Sequence, residues 1–293
     1  MLALIAVLLA QEAVSGDSVI RGAAGGSEIV IRTTSRLAGA IDSLRWNGKE
    51  FIDSADHGRQ LQSASNLDAG SPISDETCNP TEAGSRDDGA GPKSSSVLLS
   101  LKAEGATLET RSRMAFWLKP GQKSGPNLAK NTTVVSDHIL SKKVTIGFRG
   151  LPNVIEYTAT FTLPRGEKHT ASTFEALTGY MPAEFSRFLV YDPATKEAKP
   201  ISYGPGEQPL PLIFSTPAGG HAMGIYSSEP KTSYGRFRFE REKVVKWNSV
   251  FRVKQPEGIP AGDYAYRNFV AVGTLEDVIA SLRKLHELFG ERR

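Results

Sequence analysis

Residues 54–66, SADHGRQLQSASN, gather Asp56, His57, Arg59, Gln60 and Gln62 within seven positions. In extended conformation His57, Arg59 and Leu61 share one face, and Gly58, Gln60 and Gln62 share the other. His57 then offers a proton acceptor beside a cation. Arg59 offers a planar fork of donors that suits a carboxylate or a pair of hydroxyls. Gln60 and Gln62 add amides for hydroxyl recognition, and Gly58 admits a ligand or a second backbone. The competing reading pairs Arg59 with Asp53 or Asp56 as a structural bridge.

A second polar cluster, CNPTEAGSRDDG at 78–89, supplies Asn79 as a hydrogen-bonding side chain and Glu82, Asp87 and Asp88 as candidate acids. Asp-Asp-Gly is also an ordinary turn sequence. Asp87, Asp88 and a carbonyl suit a calcium ion, although the spacing matches no EF-hand loop; otherwise no cofactor or metal is expected. His138 and His169 fall at strand starts, and each is either a satisfied strand residue or a partner for the Arg59 pocket. Aromatic residues able to stack on a sugar ring are Trp46, Trp117, Tyr180, Tyr226 and Trp247, with Tyr180 taken as the substrate-binding candidate; aromatic residues in strands are mostly core. There is no G-x-S-x-G elbow, Walker A loop, H-E-x-x-H motif or Rossmann fingerprint.

The elements that must position these residues are strands. EIVIRTT at 28–34 alternates apolar and polar residues, and so does the run that ends at Trp46. Asn47-Gly48 between two strand-like runs predicts a hairpin, with Lys49–Ile52 as its second arm. Residues 63–96 show no period and predict a long functional loop. Strands are then expected at 97–102, 107–116, 138–148, 154–163, 168–177, 186–191, 212–215, 222–227, 234–239, 249–253 and 264–272. Short Gly, Pro and Asn turns separate them. One helix closes the chain: Thr274 caps it with Asp277 three residues on, and Leu275, Val278, Ile279, Leu282, Leu285 and Phe289 share a face. The pattern predicts an all-β protein, a large antiparallel β-sandwich with one C-terminal helix.

Residues 16–293 read as a single domain, with no composition break and no internal repeat. Residues 1–15, MLALIAVLLAQEAVS, read as a signal peptide, with an apolar run followed by small residues. That implies a secreted or periplasmic protein. No segment reaches the roughly 18 apolar residues of a membrane span. A net charge of +3 over 293 residues, without a basic run, argues against nucleic-acid binding. Cys78 is the single cysteine, so neither an internal disulfide nor a cysteine-rich metal site is possible.

RLAGAIDSLRWNGKEFI at the N-terminal hairpin resembles the opening of the galactose-mutarotase-like supersandwich, and Arg59 in HGRQLQ is similar to the sugar-binding arginine there. YAYRNFVAVGTLEDVIASLRKL resembles the closing strand and helix of carbohydrate-active β-sandwich proteins. The resemblance implies a carbohydrate substrate. Two mechanisms follow. In a polysaccharide lyase, a histidine or tyrosine removes the proton beside a uronate carboxyl that Arg59 neutralises. In a glycoside hydrolase, Glu82 with Asp87 or Asp88 flanks the glycosidic bond. The alternatives are a sugar epimerase and a non-catalytic sugar-binding or envelope-associated protein, the latter distinguished by an aromatic platform without a convergent acid and base.

Overall fold

In the computed structural model, residues 14–290 are described; the signal-peptide reading falls on 1–15 and so lies almost wholly outside them. Nineteen strands form one hydrogen-bonded network in which every pairing is antiparallel. The network doubles back on itself. One layer runs Ser233–Phe239, Val244–Lys254, Ala171–Pro182, Leu61–Leu67, and then through Ile41–Trp46 to the N-terminal strands. The facing layer runs Val97–Glu104, Thr107–Phe116, Val135–Phe148, Leu151–Leu163, Gly262–Gly273, Ala222–Ser227, Leu212–Ser215 and Arg187–Asp192. The two-residue strand Pro80–Thr81 joins them, pairing with Leu61–Leu67 on one side and Thr107–Phe116 on the other.

Between the layers lies an apolar core. Phe161 meets Phe174 with ring centroids 4.9 Å apart, and Phe251 stacks on Tyr266 at 4.2 Å. The Tyr157 hydroxyl, buried here, bonds Ser63 at 3.0 Å, as a buried polar group must. The closing helix, Leu275–Phe289, packs Val278, Leu282 and Leu285 against the outside of the second layer, over Tyr226, Phe269 and Ala271. Its capping box forms between Thr274 and Asp277. Gly224 permits the close approach: a Cβ there would stand 2.7 Å from Val278. Among the described residues no helix is long and apolar enough to cross a membrane.

The hairpin at Asn47-Gly48 turns with both residues at positive φ, 47° and 75°, and its second arm is only Lys49–Glu50. Two expectations are corrected. Residues 54–60 are bends and turns rather than an extended strand, so the assumed two-faced presentation of His57–Gln62 does not hold. The supposed loop at 63–96 contains most of the central strand Leu61–Leu67 and the bridging strand Pro80–Thr81.

Candidate functional site: a groove on the outer face of the first layer

Strand alternation places Gln62, Ala64 and Asn66 on the solvent side of Leu61–Leu67, while Leu61, Ser63 and Leu67 turn inward. The neighbouring strand Ala171–Pro182 carries one extra residue between Glu175 and Thr178: Glu175 pairs with Ala64, but Thr178 pairs with Gln62. This β-bulge lets Ala176 and Leu177 both point into the core. Glu175, Thr178 and Tyr180 consequently share the outer face. On the next strand Lys246 lies opposite Tyr180, and Asn248 opposite Thr178. Glu76, Asn79, Thr81 and Trp117 wall the pocket that results. Gly58 lets the indole lie across one end, since a Cβ there would stand 2.7 Å from the Trp117 ring.

The floor is an ion pair. Lys246 Nζ stands 3.1 Å from Glu175 Oε2, and Thr178 donates to the same oxygen at 2.9 Å. The ammonium also lies 5.3 Å from the Tyr180 ring centroid. Burial disfavours both charges, but each offsets the other's cost. Against desolvation, Lys246 and hydrogen bonds from Asn248 and Thr178 hold the Glu175 carboxyl below its ordinary pKa. Against desolvation, Glu175 and Tyr180 hold the Lys246 ammonium above its ordinary value. Desolvation raises the Tyr180 phenol. At the wall, loss of solvent raises the Glu76 carboxyl, opposed by Lys246 and Trp117. Two carboxyls displaced in opposite directions thus line one pocket.

The central pocket is small, about 80 Å³. It continues past Lys246 into a depression of about 500 Å³ lined by Glu207, Gly235, Phe237, Phe239 and Asn248. Phe239 lies nearly parallel to Tyr180, with centroids 6.2 Å apart. Glu207 is held by both terminal nitrogens of Arg252, at 2.8 and 2.9 Å. The two spaces form a groove across the strands, polar along the floor and aromatic at the sides. A roomier depression of about 590 Å³ beside the start of the closing helix is lined by Arg187, Glu276 and Arg283; Glu276 and Arg283 are exposed, and no ion pair is buried there.

The sequence candidates separate into three groups. Gln62, Asn79 and Tyr180 line the pocket. The amide of Gln62 donates to the Gly58 carbonyl at 3.1 Å, and that of Asn79 is anchored on the Ser65 carbonyl. A second group organises the adjoining loops. His57 is buried, with its ring nitrogens 2.7 Å from the Gly89 carbonyl and 2.9 Å from the Arg36 carbonyl, so neither faces the groove. Arg59 pairs with Asp56 at 3.0 Å, and the buried Gln60 donates to the Asp56 carbonyl. Asp87 accepts from Gln122 at 2.8 and 2.9 Å; Asp88 accepts from Ser85 and Ser95 backbone N–H groups. Glu82 is inside the protein, paired with Lys142 and accepting from Ser63 N–H at 3.1 Å. The third group, His138 and His169, meets at Glu167 at the edge of the sandwich, outside the groove lining. Sequence reasoning passed over Glu76, Thr178 and Lys246, and reached Glu175 only within the strand expected at 168–177. A charged residue between Phe174 and Ala176 was the available signal, because an acid in an apolar run is rarely left without a partner.

No protein-family model matches the chain, and no curated protein is similar to it. Solved structures are similar in fold. An α-mannosidase from Enterococcus faecalis V583 superposes over 88% of this chain with TM-score 0.51 and 10% identity. A variant of the GH36 α-galactosidase AgaA from Geobacillus stearothermophilus, in complex with stachyose, superposes over 89% with TM-score 0.50 and 9% identity. An α-galactosidase from Lactobacillus brevis gives 90%, 0.47 and 8%. The chain spans 30%, 42% and 40% of those three proteins. Its layered antiparallel strands and closing helix thus form a β-sandwich fold shared with the α-mannosidase and AgaA structures.

Proposed function

We propose that the groove binds a saccharide chain and that Glu76 and Glu175 perform acid–base chemistry at a glycosidic bond, making the protein a glycoside hydrolase. The observation that carries this reading is the Glu175–Lys246 ion pair on the floor of an aromatic-flanked groove. Desolvation favours the protonated form of Glu76, which then protonates the leaving oxygen. Glu175 stays ionised and either takes a proton from water or attacks the anomeric carbon; the separation of the two carboxyls in a substrate complex decides which. Lys246 keeps Glu175 charged, Gln62, Asn66 and Asn79 offer hydrogen bonds to hydroxyls, and Tyr180, Phe239 and Trp117 offer apolar faces to sugar rings. Export, with residues 1–15 as the signal peptide, suits a protein that meets a polysaccharide outside the cytoplasm.

Uronate elimination fits less well. Tyr180 is the phenol nearest Lys246, and its raised pKa keeps the proton that a base must shed. A panel of polysaccharides, assayed for reducing ends and for the absorbance of an unsaturated uronate, tests the reading. Reducing ends without that absorbance are expected, and Glu175→Gln should lower the rate by about 100- to 10,000-fold with the circular dichroism unchanged. Unsaturated product would make the protein a lyase. Retention on a polysaccharide gel with neither product would make it a binding protein.

A further inference from the structure

The two histidines outside the groove converge on one atom. His138 Nε2 lies 2.7 Å and His169 Nε2 2.8 Å from the same oxygen, Glu167 Oε2. One ligand atom from each of the three residues lies within 4.8 Å of the other two. Both rings are buried, at 1% and 5% exposure, whereas the Glu167 side chain is 35% exposed. The two imidazoles therefore come from the interior and the carboxylate from the side nearer solvent.

If both Nε2 atoms donate to Glu167, neutral rings carry no proton on Nδ1. His169 Nδ1 stands 3.3 Å from Asp68 Oδ1. The Ala69 N–H donates to the same nitrogen at 3.3 Å. Asp68 is fixed in place by Thr170, whose N–H and hydroxyl donate to its other oxygen at 2.9 and 2.6 Å. Asp68 Oδ1 and His138 Nδ1 are both buried without a hydrogen-bond partner. A cation on the two Nε2 atoms moves both ring protons to Nδ1, and His169 then donates to Asp68. Outer carboxylates commonly orient metal-binding imidazoles in this way.

The geometry points to a site for a late first-row divalent cation, zinc by its donor set, held by His138 Nε2, His169 Nε2 and Glu167, with Asp68 positioning His169. Two imidazoles and a carboxylate suit zinc and its neighbours, and are poor ligands for calcium or magnesium. Tetrahedral zinc spaces its nitrogen and oxygen ligands by about 3.3 Å, so Glu167 would retreat by roughly half an ångström toward solvent. Water would complete the fourth position. The buried Cys78 thiol is not among the atoms that converge there. The cation would tie the strand Val135–Phe148 to the segment preceding Ala171–Pro182. Through Asp68 it would also brace the end of Leu61–Leu67, which carries Gln62 and Asn66. This inference does not depend on the groove's chemistry.

The test is calorimetric titration of chelator-stripped full-length protein with zinc chloride, followed by cobalt(II) absorption. One equivalent of zinc with a Kd below about 1 µM is expected, with a cobalt spectrum of low-coordinate intensity. His169→Ala and His138→Ala should weaken binding at least 100-fold, and Asp68→Asn about 10- to 100-fold. Zinc should raise the melting temperature of the wild type and leave that of the histidine variants unchanged. Glu167→Gln, at an exposed position, keeps the test open if a histidine variant does not fold. Absence of zinc binding by folded wild type would overturn the assignment, as would unchanged affinity in Glu167→Gln or tighter binding of calcium than of zinc.

Discussion

Replacing Lys142 by Met isolates an ion pair wholly inside the sandwich. The Lys142 and Glu82 side chains are 0% and 1% exposed. Beyond that pair, Glu82 keeps only the Ser63 N–H at 3.1 Å, and Lys142 reaches the Gly39 carbonyl at 3.4 Å. In Lys142→Met the carboxylate remains buried with a single backbone donor, a loss of about 3–5 kcal/mol for a broken buried pair. At ~2–4 °C per kcal/mol for a chain of somewhat smaller size, the melting temperature falls by roughly 6–20 °C. The double variant Lys142→Met/Glu82→Gln removes both charges and should recover most of that loss, because neutral replacement of a buried pair is often tolerated. Thermal melts by circular dichroism, with urea unfolding for the free energy, measure both variants. Activity per folded molecule should be the same in Lys142→Met as in the wild type. A melting temperature within ~2 °C of wild type in Lys142→Met would refute the reasoning, and so would a double variant less stable than the single one.

The remaining predictions concern the groove. Glu175 titrates below the ordinary carboxyl value of 4.5 and Glu76 above it. The rate should therefore fall as pH drops below 4.5 and Glu175 gains a proton, and fall again on the alkaline side as Glu76 loses one. A profile with its acidic limb above 4.5 would show that Glu175 is not the group whose ionisation the rate requires. Phe239→Ala removes the ring beside Tyr180; KM should rise several-fold, in line with the ~0.5–1.5 kcal/mol of an aromatic contact, with kcat little changed. Loss of kcat at constant KM would show that the ring acts in chemistry rather than in binding.

Architecture was readable wherever one face of an element is apolar and the other polar. Asn47-Gly48 announced its hairpin because two consecutive positive φ angles favour those residue types. The closing helix carried both its cap and its stripe. The groove strands were harder to read, for a common reason. In Leu61–Leu67 the outer residues are Gln62, Ala64 and Asn66, and the inner positions include Ser63 and Ser65, whose small side chains sit in the core. Ser63 finds partners in the Ala176 carbonyl and the Tyr157 hydroxyl. Without an apolar face there was no period, and the segment read as loop. Ala171–Pro182 was followed only to Leu177, where the bulge breaks alternation, and so Tyr180 fell outside the expected strand. Val244–Lys254 was entered only at Ser249, beyond Lys246. His57 and Glu82 show the converse limit: residue type advertises reactivity, but burial and partners fixed by distant chain decide where it is spent. Tyr180, Gln62 and Asn79 were identified by type, and the neighbours that make them a site come from strands remote in sequence.

The supernumerary residue in Ala171–Pro182 makes the groove depend on counting as well as on composition. Were the same residues to run from Glu175 in strict alternation, without the bulge, the strand beyond would be turned by half a pleat. Thr178 and Tyr180 would then face the hydrocarbon interior, and Gly179 and Met181 the solvent. Excising Ala176 would instead let the strand alternate strictly with Thr178 and Tyr180 still outward, so the bulge is what reconciles the longer segment with the groove.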